Sequence, residues 1–486
     1  MMKGKIIKLT AQFVVGFEET HHVIYEQGEV VYQGNTILYV GKKYEGNVNE
    51  IREFPDCILI PGFIDLDADV DSDHALQDIA VGEKVFSLDR SIDMKGVYTP
   101  EDFRARHRFS MAHLLKNGIT TIMPISGETF YPWGMSLEEC EIMVEEAKKI
   151  GIRAYIGPSF KSRRFPDEGF QEEESEESYQ NAIAFCEKHF PDTIHPFLNP
   201  CQIHITKLEV LRRAAYYAKQ HHIPFRLHAC ESIREWKYTV EHFQTTTISL
   251  LEAEDMLFPQ FIIPHCITTT NDELQLLAKH GVSVVSTPFA DANTGTALFS
   301  FDKYVNYGIN MTMGTDTHPG DMLRNMKMAW DLDHLCHRRK FFSTFHTDGT
   351  MAPMLPDEPL YPKTDAAHYF DAATINGAKA LKRDDLGRLC KGAKADIVSV
   401  NLHDIMIGPL HDPIRSMINS ATGAQVKDVI VDGKDIIQNY QFVNQDMDEI
   451  LKDAQIAYDR YVQNYQKYDK QHNSETEMFP PSYTLK

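Results

Sequence analysis

In the first 57 residues, hydrophobic and polar positions alternate over short intervals, in runs such as KIIKLTAQFVVGF, HHVIYE and EVVYQGNTILYVG. A period of two puts one face of each segment on a core, so these runs predict strands. From residue 58 to about 385 the pattern changes. Apolar runs recur at 59–67, 118–125, 152–160, 201–205, 224–229, 261–267, 282–288 and 309–316, separated by amphipathic stretches such as 207–221 and 271–280. Strands alternating with helices in this way predict an α/β fold, a (β/α)8 TIM barrel over residues 58–385. Period two returns at 395–402 and 427–437. Residues 1–57 and 386–440 are therefore expected to build one composite β-sandwich domain from both ends of the chain. Residues 441–486 are expected to form a closing helix over 446–469 and a tail. The acidic stretch 167–178 (DEGFQEEESEES) is expected to be a loop near the barrel mouth.

Composition narrows the function. A chain of 486 residues with 43% hydrophobic content can bury a large core. Its 70 acidic and 49 basic residues give a net charge of -21, which repels nucleic-acid phosphates and anionic membranes and leaves a small molecule as the expected substrate. The start MMKGKIIKLT has no apolar stretch of signal-peptide length, and no later segment approaches the length of a membrane span. Eight cysteines are scattered without CxxC pairs, as expected for reduced thiols in a cytoplasmic protein. That spacing excludes a paired-cysteine zinc site and the cysteine-ligated signature of one class of nucleobase deaminases.

The densest chemical signal is PGFIDLDADVDSDHA (61–75), where Asp65, Asp67, Asp69, Asp71 and Asp73 alternate. On a strand, several of these carboxylates share a face, and burial would demand protons, donors or a cation. A solvated acidic loop is the plainer reading. It loses ground because polar residues recur at the ends of other predicted strands: His228 in LHACE, with Glu231 on the following turn, His265 in IPHC, and Asp316 in MGTDTHPGD. Chemistry in a barrel of this kind sits at the C-terminal ends of the strands. Taken singly, each residue has an innocent explanation, a hydrogen-bonded histidine or a helix cap. Together they can supply three or four ligands of one catalytic metal and leave a position open. A calcium loop on DLDADVDSDHAL lacks the glycine and the final glutamate such a loop needs, and an apolar strand precedes it.

These residues, in this order, resemble the amidohydrolase superfamily, in its branch of cytosine deaminase, S-adenosylhomocysteine deaminase and triazine chlorohydrolase. PGFID matches the family's entry into its first strand, HACE its fifth-strand His-Ala-x-Glu, and His265 and Gly-Thr-Asp (314–316) its sixth and eighth strands. DAATINGAKALKRDDLGRLCKGAKADIVSVNL (371–402) matches its passage from barrel to sheet. One departure is critical. Where the family carries His-x-His, this chain reads Asp67-Ala68-Asp69. A site of Asp67, Asp69, His228 and Asp316 would be harder and more anionic, tilting one divalent ion from Zn toward Mn or Fe. His74 as a replacement ligand, or a barrel that has lost its metal, are the alternatives. The resemblance also implies roles: Asp316 as general base toward the attacking water, Glu231 as proton carrier to a substrate nitrogen, and His265 as the group orienting the tetrahedral centre.

The resulting expectation is a metal-dependent hydrolase of a C–N bond, by deamination or by amide or urea cleavage, in a small, cyclic nitrogen compound. Dechlorination would use the same apparatus, and a non-catalytic barrel is the competing reading. Remaining candidates carry less. Cys230 and Cys266 read as buried thiols rather than nucleophiles. Lys161, Arg163 and Arg164 can meet an anion or balance the acidic stretch, and His318 and Asp321 can line a pocket. Phe289, Phe299, Phe301, Trp330 and Trp133 can form an aromatic wall, although aromatics in a large barrel are usually core. HLCHRRKFFSTFH (334–346) reads as helix and loop outside the metal site. Tyr458, Tyr461, Tyr465, Phe479 and Tyr483 near the C-terminus suggest apolar surface that a homo-oligomer would cover.

Overall fold

The computed structural model describes residues 4–70, 97–126, 135–163, 168–298, 300–317, 319–338, 343–345, 351–353, 364–467, 474 and 482–484. Asp71, Asp73, His74, Trp133, Arg164, Phe299, His318 and Phe479 lie outside them.

Both ends of the chain enter one mixed sheet. Its eight strands are hydrogen-bonded in the order 441–442, 434–438, 426–431, 397–401, 50–61, 6–18, 21–33 and 36–41. Its last strand turns back toward the segment before strand Ile397–Asn401, with a bridge from Thr36 to Lys394 and Ile37 N donating to Ala393 O (2.8 Å). Its long strands are interrupted by register shifts, at Ala11/Phe13 and Val31/Tyr32 among others, where a bulge increases local twist. Leu9, Val14, Val30, Ile37, Leu59 and Ile397 pack a core of their own on this sheet. Strand Glu50–Pro61 stays paired in the sheet to its end, with Pro61 opposite Ile397, and Gly62 follows it. A Cβ at Gly62 would run into the Thr120 side chain, so glycine lets the two units approach closely.

Beyond Gly62 the fold is α/β. Two four-stranded parallel sheets follow, Phe63–Asp69, Ile119–Ile125, Arg153–Ile156 and Ile194–Pro196, then Phe225–Arg226, Phe261–Pro264, Ser283–Ser286 and Asn310–Met313. Single parallel bridges link them at both margins, Leu198 to Phe225 and Ala68 to Asp316. At the second margin Asp69 N donates to Asp316 O (2.9 Å) and Asp316 N donates to Asp67 O (2.6 Å). Helix Asn271–His280 follows its sequence signals closely: a Thr270/Glu273 capping box opens it and Gly281, at φ 66, closes it.

Two expected elements differ. Residues 201–205 do not form a strand. The ladders run through Ile194–Pro196 and Asn199–Pro200 instead, and Ile205 N turns back onto Gln202 O (3.2 Å). Most of the acidic 167–178 stretch is helical, because Glu172, Glu173 and Glu174 form the first turn of helix Glu172–Cys186, where negative charge complements the helix dipole. The closing helix runs Met447–Asn464. Tyr461 is buried and stacks on Tyr98 of the same chain (5.8 Å), so it is spent within the chain instead of on a partner. Phe301 and Trp330 pack against Tyr369, also as core aromatics.

A buried arginine ties the two units together. Arg153 donates to both carboxylate oxygens of Asp396 (3.2 Å each), to Asp432 Oδ1 (3.3 Å) and to Asp192 O (3.1 Å). Asp396→Ala leaves that guanidinium buried and short of its main counter-charge. Urea titration is expected to show a loss of about 3–5 kcal/mol. A loss under about 1 kcal/mol, the scale of a surface pair, would contradict the clamp.

Candidate metal and catalytic centre

Each functional side chain stands at or just past the end of a parallel strand. Strand Phe63–Asp69 carries Asp65, Asp67 and Asp69, all buried, but a register shift between Asp65 and Ala68 breaks their shared environment. Asp65 turns to the neighbouring segment and accepts from Thr315 Oγ1 (2.6 Å) and Thr315 N (3.1 Å). Burial pushes its pKa up to about 6.

Asp67 meets the histidines instead. Asp67, His228 and His265 each offer one ligand atom, and these atoms lie within 4.8 Å of one another. His228 Nε2 is 3.5 Å from Asp67 Oδ1, and His265 Nε2 is 4.0 Å from Asp67 Oδ2. Asp67 is fully buried, yet neither of its oxygens accepts a hydrogen bond among the described residues. A buried carboxylate left this way fits a cation. His265 is also prepared as a ligand. Its Nδ1 is 2.9 Å from Asp291 Oδ1 and 2.8 Å from Thr287 Oγ1, which fixes the ring and leaves Nε2 toward Asp67 and Asp316. Asp316 Oδ2 lies 3.9 Å from that Nε2.

Asp67 and His228, expected as ligands, come together with His265, expected as an orienting group, while Asp316 Oδ2 lies near His265 Nε2 and Asp69 N donates to Asp316 O. Glu231 faces a cavity of about 90 Å³ lined also by Ile125, Cys201, Gln202, His228, His265 and Asp316. Gln202 Nε2 donates to Glu231 Oε2 (2.7 Å). The other candidates have structural partners. Asp321 caps Leu323 N (3.0 Å) and accepts from Gly423 N (2.9 Å). Arg163 donates to His204 O (2.9 Å) and lies between Phe170 and Tyr238. Cys230 and Cys266 are buried thiols.

The electrostatics follow from burial and neighbours. Burial acts to raise the Asp67 pKa, but His228 and Arg226 outweigh it and hold the carboxyl below its ordinary value. Burial pulls His265 down, but the hydrogen bond and charge of Asp291 carry it up to about 10. Asp316 is pushed well up by burial and by Asp67 and Asp69, against His265 and His228. Backbone strain collects in the same place. Cys230 (φ 58), His265 (φ 61), Cys266 (φ 54) and Asp316 (φ 50) all adopt the left-handed region that non-glycine residues avoid.

Sequence reasoning missed Arg226, Glu235, Asp291 and Gln202. Arg226 was the most visible, a charged residue inside the apolar run PFRLHA, two positions before His228 and so on its face. Glu235 gave no comparable signal. It is buried and accepts from Cys230 N (2.8 Å), Glu231 N (3.2 Å) and Thr247 Oγ1 (2.9 Å), so it holds the turn that carries Glu231.

Comparison with known proteins gives the family. The amidohydrolase family matches residues 58–436. The chain belongs to that family. It is 25% identical over 429 residues to the 5-methylthioadenosine/S-adenosylhomocysteine deaminase of Thermococcus kodakarensis, covering 85% of this chain and 92% of that one. Among solved structures it shares the fold of a zinc-bound adenosine deaminase from Xanthomonas campestris (TM-score 0.78, 21% identity, 94% and 98% of the two chains). It also shares the fold of the zinc-bound atrazine chlorohydrolase from Arthrobacter aurescens (TM-score 0.76, 20% identity, 93% and 100%). Among the described residues no helix is long and apolar enough to cross a membrane.

Glu235 provides a test of the turn. Burial raises its pKa to about 7 from 4.5, so the folded chain holds a proton that the unfolded chain releases. That contribution to stability is present below the unfolded value and is lost as pH rises toward 7. In Glu235→Gln this loss is absent. Denaturant titrations from acid to neutral pH are expected to show the variant gaining on the parent with rising pH, by up to about 3 kcal/mol. A constant difference across that range would contradict the assignment.

Proposed function

We propose that this amidohydrolase is a metal-dependent hydrolase that cleaves a C–N bond by deamination, with an adenine-bearing nucleoside as the leading substrate class. The observation that carries the reading is the buried trio of Asp67, His228 and His265 beside Glu231 and Asp316. The deaminase relative supports the substrate class, since it matches most of both chains. We read the two parallel sheets as one (β/α)8 barrel closed by single bridges at its two margins, with the site at the mouth where those strands end.

Asp67, His228 and His265 would hold one divalent ion. When bound, such an ion supplies a water acidic enough to attack at neutral pH. The chain does the rest. Asp316, whose carboxylate burial makes a stronger base than a solvated one, accepts a proton from the attacking water and passes it to the departing amine. Glu231, held by Gln202, protonates the ring nitrogen so that the ring carbon accepts the nucleophile. His265, fixed through Asp291, stands beside the developing oxyanion. Asp291 and Glu235 position groups and touch no substrate.

The test is ammonia release from a panel of adenine nucleosides and free nitrogen heterocycles. Release from at least one adenine nucleoside is expected, with kcat reduced about 10²–10⁴-fold in Glu231→Gln, the usual contribution of a positioned acid. Turnover of no panel member, or an unchanged kcat in Glu231→Gln, would contradict the reading.

A further inference from the structure

The metal reading leaves one side chain unaccounted for. Arg226 is fully buried inside the parallel strands, at the level just below His228. Its Nη1 donates to Met123 O (2.8 Å) and Leu66 O (3.3 Å), and its Nη2 donates to Pro124 O (2.8 Å) and Asn199 Oδ1 (3.2 Å). Phe197 packs beneath the guanidinium (5.0 Å to the ring centre). Residues on four other strands or strand ends thus fix one cation in place. The same Nη1 lies 3.1 Å from Asp67 Oδ1 as an ion pair. An arginine keeps its charge at any depth, so this positive charge is permanent.

We propose that Arg226 is a positioning residue for the metal site, balancing the negative charge that Asp67 brings to it. The inference rests on the metal-site reading above. A carboxylate adds one negative charge to the ligand set, and the guanidinium removes it again. The formal charge presented to an ion is then that of a histidine-based site. The pair also divides the work of the carboxylate. Oδ1 faces Arg226 and His228, while Oδ2 faces His265. Before an ion binds, Arg226 pairs with the Asp67 carboxylate and aims it. After it binds, the nearby positive charge opposes the ion and limits how tightly it is held.

The experiment measures two quantities on the full chain: the thermal midpoint of chelator-treated protein and the dissociation constant for Mn2+ and Zn2+ by calorimetry. Arg226→Met is expected to lower the metal-free midpoint and to tighten metal binding by about tenfold or more, because an opposing charge has gone. Arg226→Lys keeps the charge without the fork of donors and is expected to hold affinity within about threefold of the parent. In the double variant Asp67→Asn/Arg226→Met, the metal-free midpoint should recover toward the parent, since neither charge is left unpaired. Weaker or unchanged metal binding in Arg226→Met would overturn the proposal, as would a double variant no more stable than Arg226→Met. If Arg226→Met does not fold, recovery in the double variant still supports charge balance, and its failure to fold overturns it. A parent chain that takes up no ion would sink the metal reading and this inference together. An ion-binding parent with an insensitive Arg226→Met would sink the inference alone.

Discussion

The constraint around which the site is arranged is the burial of the Asp67 carboxylate. A negative charge taken fully out of water must be neutralised, paired or bound to a cation. Here it faces Arg226 (3.1 Å), His228 (3.5 Å) and His265 (4.0 Å). The supports of these groups follow from that requirement. Asp291 and Thr287 fix His265, backbone carbonyls from neighbouring strands fix Arg226, and a left-handed backbone at His265 and Cys266 turns the chain at the strand end. Such strain persists only where surrounding structure determines it, and such concentrations are typical of active sites.

The rest of the fold holds these strand ends in place. The mixed sheet from both termini leads into strand Phe63–Asp69 through Gly62, and Arg153 fastens the third parallel strand to Asp396 and Asp432 on that sheet. The carboxylate strand is therefore anchored at its base, with its chemistry at the far end. Family membership and the shared fold of zinc-bound enzymes place this arrangement in known company. The chain's own feature at the centre of this arrangement is the buried Asp67 carboxylate, together with the arginine beside it.

Much of this was legible in the sequence for local reasons. Period-two runs at both ends predicted strands that enter one sheet, and the Thr270 and Gly281 signals marked a helix to the residue. The alternating aspartates announced a site because buried carboxylates need partners. What escaped was non-local. Whether Asp65 shares its neighbours with Asp67 depends on a register shift that only pairing with strand Ile119–Ile125 produces. Glu235 resembled an ordinary helical glutamate until the fold buried it against Cys230 N and Glu231 N. Residues 201–205 looked like a strand because burial in a turn and burial in a sheet leave the same apolar trace.

The central claim is that Asp67, His228 and His265 hold an ion. Elemental analysis of protein purified without added metal tests it most directly, with Asp67→Ala analysed alongside after its fold is checked by circular dichroism. The account predicts close to one divalent ion per parent chain and a folded Asp67→Ala that has lost it. A parent chain that stays metal-free after reconstitution, or an Asp67→Ala that keeps its full complement, would contradict it.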